Sequence, residues 1–373
     1  MRYLLLIICA IIFSLGVVMI FSTSSAEVMD LELERSTHQA LYKQMLYAFF
    51  GVALSLGVFR MGYRNFLLYT PLLFFVFTLL LLLTLLPGTG RVVNGSRRWL
   101  NIPGFSFQPS EFVKYIVPGF FIFRLGFLDV KTLSFFKFIR PLIPLTIPLV
   151  LILVEPNNGT VAVIVVTLVV LFFLSGIPAK YWAMPLLIFA LIGGGFASQL
   201  PYVSARIKVY LHPELDIRGK GHQPHQAKIA AGSGGLFGKG PGNSWQKLSY
   251  LPEAQNDYIA AIFAEEFGFI GMMGLIFLYM AFALVGFMIA YHAADLQGLY
   301  LGSVITFLVT FQAFLNLGVV SGLLPSTGLN LPLFSQGGSS IIANLVGIAL
   351  LQSIAVKKSV KKKTQPIGFL AES

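Results

Sequence analysis

Charge is scarce in this chain. Only 11% of its 373 residues are Asp, Glu, Lys or Arg, against 56% hydrophobic residues, 35 of them Phe, and the mean hydropathy is +0.81. One soluble core does not bury that much apolar surface, so an ordinary globular enzyme is excluded. Cysteine is nearly absent: Cys9 is the only one, which rules out an intramolecular disulfide. No GxxxxGK[ST] pattern follows a strand, so a nucleotide P-loop is missing, and no nucleic-acid partner is expected. Histidine is sparse as well. Three of the five, His212, His222 and His225, share one polar loop; their spacing permits a metal but lacks an ordered scaffold, and no metal site is assigned to them.

What the chain does have is apolar runs of bilayer length, about 20 residues each as helix. They fall at 3–22, 41–59, 66–86, 111–127, 138–154, 159–176, 179–198, 258–291, 297–319 and 338–356. The expected fold is an all-α polytopic membrane protein of about ten spans, one domain over 1–356. A long outer loop at 199–257 would join spans seven and eight, and a basic tail would follow at 357–373. The run near 258–291 exceeds one bilayer, so it tilts or projects. The first run imitates a cleavable signal peptide, but the further spans favour a retained anchor.

Five lysines in the tail (Lys357, Lys358, Lys361, Lys362, Lys363) put that end in the cytoplasm, and an even number of spans puts the N-terminus there too. Arg60, Arg64, Arg124, Lys131, Lys137 and Arg140 fall in inner loops and agree. Two outer loops break the rule. The 90–110 segment carries Arg91, Arg97 and Arg98 and no acid. The 199–257 loop carries seven basic residues (Arg206, Lys208, Arg218, Lys220, Lys228, Lys239, Lys247) against four acidic ones (Glu214, Asp216, Glu253, Asp257). Basic charge on a translocated face suits an anionic ligand, phosphate above all, although anionic lipid headgroups would attract it equally.

Three outer segments carry candidate chemistry. In 248–269 the carboxylates of Glu253 and Asp257 stand one helical turn apart where the polar loop enters an apolar run, and Ala260, Ala261 and Ala264 leave room for an approach. Ionisable groups at membrane depth are functional candidates, and two carboxylates at a helix N-terminus read equally as dipole caps. In 108–115, Pro109 suits a first turn, Ser110 is a candidate N-cap, and Glu111 and Lys114 can pair on one face. The uncharged 321–340 segment, broken by Pro325, Pro332 and Gly337-Gly338, reads as a re-entrant lining of the same site. The glycines at 232–242 could bring backbone N–H groups to a phosphate, or could serve flexibility alone.

NGSRRW (94–99), QPSEFVK (108–114), GKGPGNSWQKLSYLPEAQNDYIAAIFAEEFG (238–268) and GLLPSTGLNLPLFSQGGSS (322–340), in this order on ten spans, resemble the SEDS family of peptidoglycan glycosyltransferases, the FtsW and RodA proteins. The likeness covers nearly the whole chain, and GNSWQKLSYLPEA leans toward the division member, FtsW. The resemblance implies an inverting transferase that polymerises lipid II on the outer face of the cytoplasmic membrane. Asp257 would be the catalytic base, tuned by Glu253. Substrate-binding positions would be Arg98, Gln108, Ser110, Glu111, Lys114, Lys247, Glu253, Ser335 and Ser339, with a divalent cation such as Mg2+ as a further source of positive charge. The implied partners are a class B penicillin-binding transpeptidase and other division or elongation membrane proteins. The chain departs from the family pattern at Asn256 and Tyr258, where threonine and phenylalanine are usual. It departs again at Gln336 of the serine-rich segment and at Glu155-PNNG, where QPDxG is common. A precursor transporter and a recruiting scaffold are the readings from other classes.

Overall fold

A computed structural model describes residues 1–31, 38–93, 96–102, 105–128, 133–199, 201–212, 221–247 and 254–356. Long helices stand at all ten expected places: α1 (Arg2–Leu31), α2 (Gln39–Met61), α3 (Tyr63–Leu85), α4 (Pro109–Leu125), α5 (Phe135–Val154), α6 (Asn158–Leu174), α7 (Ala179–Gln199), α10 (Ile259–Tyr291), α11 (Leu296–Val320) and α12 (Gly338–Val356). Seven of these are long and apolar enough to cross a membrane. Two short helices, α8 (Pro201–Leu211) and α9 (His222–Ser233), fold within the long loop. The basic tail, Glu253, and the loop charges at 214, 216, 218 and 220 lie outside the described residues.

Burial separates the helices by role. α11 and α12 sit mostly inside the protein, whereas α2 and α3 turn most of their apolar side chains outward. α2 packs along α12, α10 along α11 and α3 along α4, so the buried pair forms the axis and the others form the lipid-facing shell. At the end that holds both short turns 61–63 and 292–295, Asp295 caps α11 by accepting from Gly298 N at 2.7 Å. It also accepts from Arg64 Nε at 2.8 Å and Tyr63 Oη at 3.0 Å, tying α3 to α11.

Two features depart from the expected outline. The 90–107 segment, read as a loop, forms a three-stranded antiparallel sheet: β1 (Gly90–Val93), β2 (Ser96–Ile102) and β3 (Phe105–Phe107), in that order. Gly90 pairs with Leu100 and Leu100 with Phe107. The second departure is α10, which breaks at Gly268, where φ is +66° and ψ is −164°. That break resolves the excess length: 269–291 alone is of spanning length, and 259–267 is a separate helical piece at the other end.

The break leaves backbone groups without helical partners, and the glycine-rich loop takes them up. Lys239 N donates to Glu265 O at 2.9 Å and Gly240 N to Glu266 O at 3.0 Å. Phe269 N donates to Gly235 O at 2.9 Å and Ile270 N to Leu236 O at 3.1 Å. Backbone meets backbone so closely that a methyl on Gly238 would collide with Glu266 O, and one on Gly268 with Gly238 N. Gly238 and Gly268 therefore seal a helix break. The approach room expected beside Ala260, Ala261 and Ala264 is filled: all three are buried, and Gly234 lies directly against the Ala264 carbonyl.

Candidate functional site

The polar core of the molecule grows from one face of α11. Gln312 and Asn316 stand one turn apart, where i and i+4 share a face, and both reach the non-helical strap at 321–337. Gln312 Nε2 donates to the main-chain oxygen of Asn330 at 2.9 Å and to its side-chain oxygen at 2.7 Å. Asn316 Nδ2 donates to Leu329 O and to Asp257 O, both at 2.8 Å. These amides satisfy an irregular backbone at membrane depth, which is tolerated only when it is held by protein or lines a cavity. They also fix Asp257 against the strap.

From Gln312 the network continues into α4. Lys114 Nζ donates to Gln312 Oε1 at 2.7 Å and to Glu111 Oε2 at 2.9 Å, and only 1% of the lysine side chain is exposed. A buried pair of this kind sets opposite charges against each other, and removing either one strands its partner. Gln108, in extended backbone, occupies the N-cap of α4, with Pro109 the first helical residue. Ser110 therefore lies inside the first turn and does not cap it. Its hydroxyl accepts from Gln108 Nε2 at 3.2 Å and Asn157 Nδ2 at 3.4 Å. Ser339 Oγ accepts from Gln108 N at 2.8 Å, and Ser335 Oγ accepts from Leu331 N at 2.8 Å, closing the turn at the end of the strap.

Asp257 is half-buried in a turn ahead of α10, whose N-cap is Tyr258. It is therefore not on a helix, and its expected spacing from Glu253 falls outside the described residues. Gly328, at φ +71°, marks its surroundings: a methyl there would lie 3.8 Å from Asp257 Oδ2 and 3.7 Å from Arg206 Nη2. Burial raises the Tyr258 phenol well above its ordinary value. The negative charge of Asp257 raises it further, and Arg206 opposes them.

The remaining candidates are held elsewhere at the same end. Arg98 Nε donates to Glu155 O at 3.0 Å, and its Nη2 donates to Pro156 O, so the guanidinium braces the turn between α5 and α6. Lys247 Nζ lies 2.9 Å from Glu266 Oε1 and 3.0 Å from Ser22 Oγ, at the junction of loop, α10 and α1. Glu253 lies outside the described residues.

Two acids that the sequence reading passed over organise this end. Glu265, fully buried, accepts from Lys239 Nζ at 2.6 Å, from the hydroxyls of Ser233 and Ser244, and from the N–H groups of Trp245 and Gln246. Glu266 holds Lys247. Adjacent acids inside an apolar run were the available signal. Among the described residues no three His, Cys, Asp or Glu side chains gather as a metal group, and Glu111, Glu265 and Glu266 each face a lysine.

A helical bundle of spanning length with one half-buried carboxylate, a guanidinium beside it and a buried lysine pair at the same end defines a polytopic membrane protein with a polar site at one membrane face. The sequence pattern of the FtsW, RodA and SpoVE family, described as cell cycle proteins, matches residues 2–360, and the chain belongs to that family. Stage V sporulation protein E of Bacillus subtilis is 36% identical over 356 residues, covering 94% of this chain and 96% of that one. The probable peptidoglycan glycosyltransferase FtsW of Trichlorobacter lovleyi is 33% identical, covering 94% and 92%. Among solved structures, a chain from a peptidoglycan synthase complex that coordinates polymerization and crosslinking superposes with a TM-score of 0.75 at 26% identity, covering 94% and 96%. The rod shape determining protein RodA of Thermus thermophilus superposes at 0.68 and 26%, covering 94% and 95%.

Proposed function

We propose that this protein is an inverting peptidoglycan glycosyltransferase that polymerises lipid II at the outer face of the cytoplasmic membrane, with both termini in the cytoplasm. The observation that carries the reading is the Asp257 turn, fixed by Asn316 to the same strap that Gln312 joins to the Lys114–Glu111 pair. The relatives named as peptidoglycan glycosyltransferases support it.

In the reaction the 4-hydroxyl oxygen of the acceptor sugar attacks the anomeric carbon of the donor. The bond from that carbon to the diphosphate oxygen breaks with inversion, and undecaprenyl diphosphate departs with the bonding pair. Asp257 takes the hydroxyl proton, a role worth about 10²–10⁴-fold for a positioned base. Cationic side chains at this end, Lys114 above all, stabilise the charge that develops on the leaving group. A divalent cation on the diphosphate is a separate proposal, and a chelator titration of the polymerisation rate tests it. The GNSWQKLSYLPEA segment favours septal over elongation synthesis. A class B penicillin-binding transpeptidase is the proposed partner, in keeping with the solved synthase complex. Purified protein incubated with lipid II should yield glycan strands; translocation of lipid II without glycan would instead make it a transporter.

A further inference from the structure

In the sequence Arg206 is one basic residue among seven in a long loop, and its neighbours do not mark it out. The structure does. It lies on α8, and its Nη1 donates to Ser326 O at 2.8 Å, which perches the guanidinium on the strap. One turn along the same face, Tyr210 Oη donates to Leu323 O at 2.8 Å, so α8 grips the strap through an i, i+4 pair. A methyl on Gly328 would meet Arg206 Nη2 at 3.7 Å, Arg206 Nη1 at 3.9 Å and Asp257 Oδ2 at 3.8 Å. Guanidinium and carboxylate thus converge over a residue with no side chain. Both charges also bear on the Tyr258 phenol, with opposite sign.

We propose that Arg206 is a positioning residue for Asp257 and the counter-charge that the donor's diphosphate displaces. In the free protein the guanidinium keeps the carboxylate ionised, aimed and weakly basic. A guanidinium fork matches phosphate oxygens in two-point contacts, so an entering diphosphate draws it away while Nη1 keeps its hold on the Ser326 carbonyl. Asp257, no longer paired, becomes the stronger base just as donor and acceptor are both in place. The groups around the carboxylate fit this exchange. Among the described residues α8 supplies Arg206, the strap supplies Gly328, and the carboxylate's own turn supplies Tyr258, which stays neutral, while the uncharged Asn316 of α11 holds the Asp257 main-chain oxygen. The inference rests on Asp257 as the base.

The test uses the full chain in lipid nanodiscs, as wild type and Arg206→Gln. An opposite charge within about 4–6 Å lowers a carboxyl pKa by about 1–3 units. The acid limb of kcat/KM, which reports the free enzyme, should therefore rise by about one pH unit or more in Arg206→Gln. The acid limb of kcat, which reports the donor-bound enzyme, should stay where it is in wild type. Equal movement of both limbs would mean a fixed counter-ion, and no movement of either would mean no pairing; each overturns the proposal. A readout without turnover covers a variant too slow to profile: undecaprenyl diphosphate binding, measured in buffers of different ionisation enthalpy. At pH values on the acid limb, wild type should take up protons on binding and Arg206→Gln should take up fewer. Equal uptake by the two proteins overturns the proposal whether or not either one makes glycan, which separates this failure from that of the polymerase reading.

Discussion

Lys114 and Glu111 are both withdrawn from solvent, so removing either strands the other as a buried charge. Lys114→Met should cost about 3–5 kcal/mol of stability, read as a lowered unfolding temperature in detergent, whereas an exposed lysine replaced in the same way should cost almost nothing. Glu155 makes a different residue-scale case. It is fully buried at the turn after α5, takes a hydrogen bond from Thr84, and leaves Oε2 without a partner among the described residues. Burial raises its carboxyl from 4.5 to about 8, with Thr84 and Arg98 pulling the other way. The folded value lies above the unfolded one, so the folded protein holds the extra proton between them. Its contribution to stability is complete below about 4.5 and is lost as pH rises through about 8. The unfolding temperature of wild type should therefore fall across that range more steeply than that of Glu155→Gln; parallel curves would count against the assignment. The sequence exposed Glu111, Lys114 and Asp257 because their spacing or depth was unusual. Arg206 and Glu155 were hidden because their meaning depends on partners 120 and 71 residues away.

At the scale of elements, the break in α10 and the loop that seals it form one unit. Glu265 is the side-chain hub and Gly238 and Gly268 are the backbone contacts, so two independent substitutions test it. Gly238→Ala puts a methyl against the Glu266 carbonyl at a positive φ, a clash worth about 1–3 kcal/mol. Glu265→Gln keeps the shape but loses the charge that Lys239 and Ser244 address, a loss of about 1–3 kcal/mol. Both should raise amide exchange at 235–240 and 265–270 while leaving α11 and α12 protected. Uniform exchange throughout would contradict the unit. Part of this was legible: the excess length of the 258–291 run pointed to an irregularity, but its position needed the partner loop. The sheet at 90–107 had a local signal, Asn94-Gly95 between Val92-Val93 and the Arg97–Leu100 run, the type of dipeptide that makes tight hairpins. Its charge pattern drew attention first.

At the scale of the molecule, ten helices emerged where apolar runs had placed them, since hydropathy at bilayer length is a strong constraint. That the uncharged strap is irregular backbone held inside the protein was legible for the same reason: helix-breaking apolar sequence has few other places to go. The sequence did not reveal which helices form the axis, because the apolarity of α11 and α12 falls between that of the outward-facing α2 and α3. The central claim is that this end of the bundle works as a polymerase through one proton acceptor. Its most direct measurement is the initial rate of glycan formation from lipid II by the purified full chain, wild type against Asp257→Asn, at matched unfolding temperatures. Wild type should make glycan, and the variant should lose about 10²–10⁴-fold of that rate. A variant within a few-fold of wild type, or a wild type that makes no glycan even with a class B penicillin-binding transpeptidase added, would contradict that claim.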